Sequence, residues 1–394
     1  MVKFRAHQMV VIVQLMCAYV ISLFKKKGEL WLITERGVDA RDNGFWFFKY
    51  VKEHHPEINA KFIISKNSVD RNKLTLYQDD LVDFRSFRHY ILLWRASHLI
   101  STHIQGYFPF AGLGLWLLPR FKFYGRKQHI SLKHGITKDY ISFLDYSNTH
   151  VDMLTAGAKP EYDFFISKYN YPENVVKLTG FCRFDQLGNC KTKKQILVMP
   201  TWREWLYVKS EFASSEFAKQ YIALLTSPEI YKHLEDNDLQ LVFYPHHELQ
   251  KYMDIVQKNR FGDRIVIATE DSHDVQTLLK ESILLITDYS SVFFDFAYMR
   301  KPVIFFHFDY EKFRKNHYAE GWFDYSHSFG PVVKNQDELL TALLRYIDNN
   351  FDMEPQYSSY VEECFPFKDD HNTERVFNNI VELKSSRKIS CATR

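Results

Sequence analysis

Residues 284 to 306 read Leu-Leu-Ile-Thr-Asp-Tyr-Ser-Ser-Val-Phe-Phe-Asp-Phe-Ala-Tyr-Met-Arg-Lys-Pro-Val-Ile-Phe-Phe, and this stretch leaves the chain few ways to fold. Leu284 to Thr287 is an apolar run that stops at Asp288, and Ser290 and Ser291 are residue types that cap helices by accepting a backbone N–H. Ser291 to Met299 continues as a helix. Pro302 then resets the backbone before Val303 to Phe306, a run short and apolar enough to be a strand buried on both faces of a parallel sheet. Such a unit sets its polar turn at the carboxyl edge of the sheet. There, free N–H groups, two hydroxyls and the positive end of the helix dipole converge in a way that suits a phosphate. The same residues also make a plain capped core helix, and no glycine-rich loop accompanies them.

The flanking sequence repeats this grammar. Leu30 to Thr34, Lys61 to Ser65, Ala96 to Thr102 and Gln128 to Lys133 read as strands, with helices at Phe45 to His54 and Arg85 to Leu93. Asp42-Asn43-Gly44 is the turn before the first of these helices. A second series follows at Gln195 to Met199, Leu239 to Tyr244, Ile265 to Ala268 and Leu284 to Thr287, with late helices at Asp337 to Asn349 and Thr373 to Leu383. Alternating strands and helices predict α/β folding with doubly wound parallel sheets, and 394 residues suit two domains. The polar stretch at 186 to 194 is the linker. The boundaries are therefore an N-terminal apolar and basic helix at 1–27, a Rossmann-like domain at 28–186, and a second Rossmann-like domain with the C-terminal helix at 187–394. Two such domains facing each other make a central cleft at the carboxyl ends of their strands, an arrangement called GT-B.

Met9 to Phe24 is apolar except for Gln14 and Ser22, and Lys25-Lys26-Lys27 follows. The run falls short of the roughly 20 residues that span a bilayer, and no signal-type cleavage site follows it. A helix lying on an anionic membrane surface and a helix packed on the protein are both open readings. Tyr107 to Phe123, rich in aromatic residues, Leu, Pro and Gly, has no clean period and reads as a loop or broken amphipathic segment. A net charge of +3 is too small to argue for nucleic acid, and five cysteines without metal-type spacing favour reduced thiols. No His/Cys/Asp/Glu set has convincing metal spacing.

Several motifs agree in kind and order with one family. Thr287-Asp288-Tyr289-Ser290-Ser291-Val292-Phe293-Phe294-Asp295 with Lys301-Pro302-Val303, His134-Gly135 after a strand, Pro200-Thr201-Trp202-Arg203, Pro245-His246, and Asp370-His371-Asn372-Thr373-Glu374-Arg375 together resemble the CDP-glycerol glycerophosphotransferases, the teichoic acid primases and polymerases. The resemblance covers roughly residues 95 to 380 and also implies the GT-B arrangement. It implies that an alcohol attacks the β-phosphorus of CDP-glycerol and CMP leaves, with CDP-ribitol as a close second donor. The acceptor it implies is a lipid-linked teichoic-acid-like or capsular polymer at the cytoplasmic face of the membrane.

Phosphoryl transfer needs alignment, charge neutralisation and a base. His134 is the candidate base on the acceptor side, with Gly135 and Lys138 beside it, and His246 is the candidate donor-side histidine. Arg203, Asp288, Ser290, Ser291, Thr373 and Arg375 are the candidate donor-binding residues. Arg203 suits a bidentate phosphate contact, or equally a salt bridge to Glu204 or another carboxylate. Two departures from the family pattern stand out: His247 occupies a position often held by proline, and Ile136-Thr137 replace the usual residues before Lys138. No cofactor is required on this reading, with Mg²⁺ possible on the donor pyrophosphate. A sugar-nucleotide glycosyltransferase and a catalytically silent scaffold of a polymer assembly complex remain as alternatives.

Overall fold

The computed structural model describes residues 6–24, 28–110, 127–149, 151–188, 191–259, 261–316 and 320–392. The lysine run 25–27 and most of the aromatic stretch 107–123 lie outside the described residues. The chain forms two compact units, one made of 1–136, 142–186 and 367–394, the other of 137–141 and 187–366.

The first unit holds a parallel sheet of β1 (Trp31–Thr34), β2 (Ala60–Ile64), β3 (Leu81–Asp83), β4 (His98–Ser101), β5 (Gln128–Ser131), β6 (Met153–Ala156) and β7 (Val176–Leu178), in the order β3-β2-β1-β4-β5-β6-β7. All four residues of β1 and of β4 are buried, which matches the apolar centres of these strands, Trp31 to Ile33 and Leu99-Ile100. The chain steps outward from β1 to β3 and then returns to the other side of β1, so its topological switch lies between β1 and β4. The second unit holds β8 (Gln195–Met199), β9 (Gln240–Phe243), β10 (Ile265–Ile267), β11 (Leu284–Thr287), β12 (Val303–Phe306) and β13 (Val332–Val333), also parallel, ordered β10-β9-β8-β11-β12-β13. Its switch lies between β8 and β11. Loops at such switch points leave room for a ligand because the connecting helices run to opposite faces. The expected α/β class with two doubly wound parallel sheets is the fold found.

The helix Val292–Tyr298 buries Phe293, Phe294, Phe296 and Ala297 beside β11 and β12. At the amino terminus, α1 (Ala6–Leu23) packs on α3 (Phe87–Arg95): Leu15 and Ala18 are buried, and Trp94 Nε1 donates to the Leu15 carbonyl at 2.9 Å. Met9, Val10, Val13, Val20 and Leu23 of α1 are exposed. Among the described residues no helix is long and apolar enough to cross a membrane.

Two segments lie outside the expected boundaries: 137–141, expected in the first domain, belong to the second unit, and the final helix also changes place. The boundaries drawn along the sequence count the final helix, Asn372–Ala392, with the second domain, although a GT-B arrangement usually sends its last helix back onto the first; it belongs to the first unit. Val376, Phe377 and Ile380 join the core beneath α2 (Asn43–His54), and Phe377 stacks on His55 at 3.7 Å between ring centroids. An apolar helical face specifies burial but not which core receives it.

Candidate active site

In the first unit, the machinery is built around the loop after β1. Glu35, directly beyond that strand, is buried and accepts N–H bonds from Arg41 at 3.0 Å, Asp42 at 2.6 Å and Phe45 at 3.2 Å. It thereby ties down the start of α2. Burial and the neighbouring Asp42 charge push the Glu35 carboxyl well above its usual range. Asp42 holds the N-cap position of α2 but makes no side-chain cap. Its carboxylate faces elsewhere: one oxygen pairs with His134 Nδ1, and the other accepts from Arg183 Nη1 at 3.0 Å. Burial alone raises the Asp42 pKa, but the Arg183 charge and the His134 contact outweigh it and hold the carboxyl below the usual range.

Arg183 closes the arrangement by donating to the His134 carbonyl at 2.5 Å, while its backbone N–H donates to Asn43 Oδ1 at 3.0 Å. Asn43 in turn donates to the Lys133 carbonyl at 2.7 Å. The backbone of His134 and the start of α2 are therefore locked together. The His134 side chain is 70% exposed, and the His103 ring stacks on it at 5.0 Å. A carboxylate at Nδ1 favours the tautomer that carries its proton there, which leaves Nε2 of this exposed ring as the nitrogen available to a general base. Gly135 follows, half-buried. Asp42, Glu35 and Arg183 are members of this arrangement that sequence reasoning misses. Asp42 reads as a helix-start residue, and only its unused capping role in three dimensions distinguishes it.

In the second unit, His246 follows β9 through Pro245. Its Nδ1 accepts the Glu248 N–H at 3.3 Å, which leaves Nε2 as the protonated nitrogen. The ring is half-buried and lies over Trp202 at 6.1 Å. Burial, helped by the His247 charge, pushes its pKa down to about 4, so it is a neutral N–H donor at pH 7. His247 is exposed beside Glu248. After β11, Ser290 is half-buried and its Oγ accepts the Val292 N–H at 3.5 Å, while Ser291 is exposed and makes no side-chain cap.

Five of the expected site residues are engaged elsewhere. Arg203 is fully buried. Its Nε and Nη2 donate to Asp309 at 2.7 and 2.9 Å, Nη2 also meets Asp288 at 2.9 Å, and Nη1 donates to the Thr201 carbonyl at 2.6 Å. Aromatic rings of Tyr289 and Phe217 flank it at 4.9 and 5.1 Å. Burial opposes its charge, yet the two carboxylates more than offset this and raise its pKa. Its fork thus binds protein carboxylates, in place of the bidentate phosphate contact. Asp288 is equally committed, accepting N–H bonds from Thr201 at 2.8 Å and Tyr289 at 2.6 Å as well as Arg203. Together these residues clamp the loops after β8 and β11, the strands that flank the switch.

Lys138, expected on the acceptor side, is buried in the second unit and paired with Asp139, which Arg314 also binds at 2.8 Å. Thr373 and Arg375, expected at the donor, lie in the first unit. Thr373 Oγ1 donates to Asp185 at 2.5 Å; Arg375 binds Asp369 at 2.8 Å, the Thr179 carbonyl at 3.1 Å and Asn372 at 2.7 Å. Gly180 has φ +73°, and a Cβ there would lie 1.8 Å from Asn372 Oδ1. These contacts seat the start of the final helix. Among the described residues, no group of three or more His, Cys, Asp or Glu is placed to hold a metal ion.

Comparison with known proteins agrees in kind. The family model described as CDP-Glycerol:Poly(glycerophosphate) glycerophosphotransferase matches residues 15–382. The minor teichoic acid biosynthesis protein GgaB of Bacillus subtilis (strain 168) is 33% identical over 388 residues, 94% of this chain and 42% of that protein. The teichoic acid poly(ribitol-phosphate) polymerase of Bacillus spizizenii is 27% identical over 90% of this chain and 56% of its own length. The chain thus spans about half the length of these curated relatives. The solved structure of the wall teichoic acid polymerase TagF superposes with a TM-score of 0.67 at 16% identity, covering 98% of this chain and 100% of that one. A UDP-GlcNAc 2-epimerase from Neisseria meningitidis gives 0.54 at 11% identity over 90% of this chain and 99% of its own. At those identities the likeness is one of fold.

Proposed function

The chain belongs to the CDP-glycerol:poly(glycerophosphate) glycerophosphotransferase family, and from that footing we propose that it transfers glycerol phosphate from CDP-glycerol to a hydroxyl of a teichoic-acid-like or capsular polymer. The acceptor oxygen bonds to the β-phosphorus, the bond from that phosphorus to the bridging oxygen breaks, and CMP leaves. The observation that carries the reading is the exposed His134 ring backed at Nδ1 by buried Asp42. In this role His134 Nε2 takes the acceptor proton as the new P–O bond forms, and Asp42 stabilises the resulting imidazolium. On the donor side, His246 Nε2–H and the hydroxyls of Ser290 and Ser291 hydrogen-bond the phosphate oxygens that gain charge as CMP departs. A variant of TagF has been soaked with CDPG, which supports the donor class.

The transfer proceeds without a resident metal on this reading, with Mg²⁺ held loosely by the pyrophosphate; chelation with EDTA should leave at least half the turnover. The protein acts as a peripheral enzyme at the cytoplasmic face of the membrane. The exposed Met9, Val10, Val13 and Val20 of α1 support that location, since they form an apolar surface outside the packed face.

A second donor, CDP-ribitol, is favoured by the similarity to a poly(ribitol-phosphate) polymerase. Incubation with CDP-glycerol, CDP-ribitol and UDP-sugars, following nucleotide release with and without a teichoic acid acceptor, tests the proposal. Acceptor-dependent CMP release from a polyol donor is expected. Nucleoside diphosphate release from a UDP-sugar would replace the proposal with glycosyl transfer, and no turnover with any donor would leave a scaffold.

A further inference from the structure

A cleft of about 480 Å³ opens at the carboxyl edge of β1 to β4 in the first unit. This is within the roughly 300–1,000 Å³ usual for small-molecule sites. Its lining combines two arginines, Arg36 and Arg85, with the aromatic rings of Phe84, Phe108 and Phe143, and among the described residues it includes no carboxylate. The Arg36 Nε is steadied by Asp39 at 2.6 Å, yet its side chain is 57% exposed; the Arg85 Nε donates to the Pro109 carbonyl at 2.8 Å. Gln105, also in the lining, has a buried amide nitrogen with no hydrogen-bond partner among the described residues. A buried donor without a partner is costly in a finished site and is satisfied when a ligand brings an acceptor.

The cleft floor is set before any ligand arrives. Gly106 packs so closely on the ends of β1 and β4 that a Cβ would lie 2.2 Å from the Glu35 carbonyl and 2.4 Å from Ser101 Oγ. Both Arg85 and Gln105 have positive φ, 64° and 66°, conformations non-glycine residues adopt only when their surroundings hold them. The cleft also adjoins the proposed base. His103 stacks on His134 at 5.0 Å, and Ile104 and Gln105, the next residues along the chain, line the cleft.

We propose that this cleft binds the phosphodiester-linked polyol at the growing end of the acceptor, one unit back from the attacking hydroxyl. Arg36 and Arg85 pair with the phosphodiester, the Gln105 amide donates to one of its oxygens, and the aromatic walls cover the carbon skeleton. The assignment rests on the polyol-phosphate transferase reading and gives that reading an acceptor subsite. It explains how an enzyme distinguishes a chain end from free glycerol, because only the former carries a phosphodiester at this spacing.

Calorimetry with glycerophosphoglycerol, and no donor present, tests the site. The Arg36→Gln/Arg85→Gln variant should bind it at least about tenfold more weakly while CDP-glycerol affinity stays within about twofold, the loss of two charge-assisted contacts being confined to one ligand. Because Arg85 also holds the Pro109 loop, Ser65→Asp provides a second variant. Ser65 lines the cleft and its Oγ accepts the Asn67 N–H at 3.3 Å, a bond an aspartate retains while adding a repelling charge. It too should weaken glycerophosphoglycerol binding and raise the acceptor KM with kcat little changed. Unchanged affinity in both variants, or equal weakening toward CDP-glycerol, would overturn the assignment. So would equal affinity of the wild type for inorganic phosphate and glycerophosphoglycerol. The donor screen can fail while this binding persists, and this binding can fail while CMP is still released, so the two readings fall separately.

Discussion

Replacing Asp42 by asparagine keeps the side-chain volume and removes the charge behind His134. In the wild type one Asp42 oxygen binds His134 Nδ1 and the other Arg183. An asparagine satisfies Arg183 with its carbonyl and then turns its NH₂ toward the imidazole. Nδ1 must become the acceptor, the ring proton moves to Nε2, and the lone pair required of a base is lost. A hydrogen bond to a charged group is worth about 1.5 to 3 kcal/mol. At about 1.36 kcal/mol per decade this predicts a fall in kcat of about 10- to 150-fold, before any further loss from the wrong tautomer. His134→Ala sets the floor and should lower kcat at least about 10²-fold with donor affinity nearly intact. The assay is steady-state CMP release with acceptor, alongside CDP-glycerol calorimetry and thermal unfolding. D42N should lower kcat with donor Kd unchanged. A kcat within about threefold of wild type would refute the role of Asp42, and a parallel loss of donor binding and Tm would assign it to folding alone.

Ser290→Ala/Ser291→Ala should weaken CDP-glycerol binding at least about tenfold and leave cytidine binding unchanged, because cytidine carries no phosphate; equal loss for both ligands in calorimetry would show a folding defect. Arg203→Leu leaves two buried carboxylates without their cation and should destabilise the protein by about 3 to 5 kcal/mol in denaturant titration. A folded variant with selective loss of donor affinity would return Arg203 to the phosphate. Burial pushes His89 and His307 down to about 4. The unfolded chain takes up protons on these rings below about 6.5 and the folded chain does so only near 4, so their stability contribution is complete above about 6.5 and is lost as pH falls from there to about 4. Unfolding free energy measured across that window should decline, and His89→Gln should flatten the decline.

Much of the architecture is written locally. β1, β11 and β12 are legible because strands buried on both faces need largely apolar runs, and Asp288 and Pro302 mark the limits of β11 and β12. His134 and His246 are legible for a related reason: each comes within three residues of the end of a strand, and such positions stand at the carboxyl edge of a parallel sheet, where ligands bind. Local signals stop at partnership. Asp42 lies 92 positions from His134 and looks like an ordinary helix start; its failure to cap, and its turn toward the imidazole, exist only once β1 and β5 lie in one sheet. Arg203 has the residue type and strand-end position of a phosphate ligand, yet Asp309, 106 positions away, takes its fork. The final helix advertises an apolar face without naming the core that will cover it. Sequence alone therefore determined the two parallel sheets and the edges where chemistry can occur, because burial and backbone hydrogen bonding are set by neighbours along the chain. Which charged groups at those edges are consumed in holding the fold, and which remain exposed to a substrate, was decided only by the tertiary structure, because a charge buried on folding must be matched by a counter-charge from whatever distant segment packs beside it.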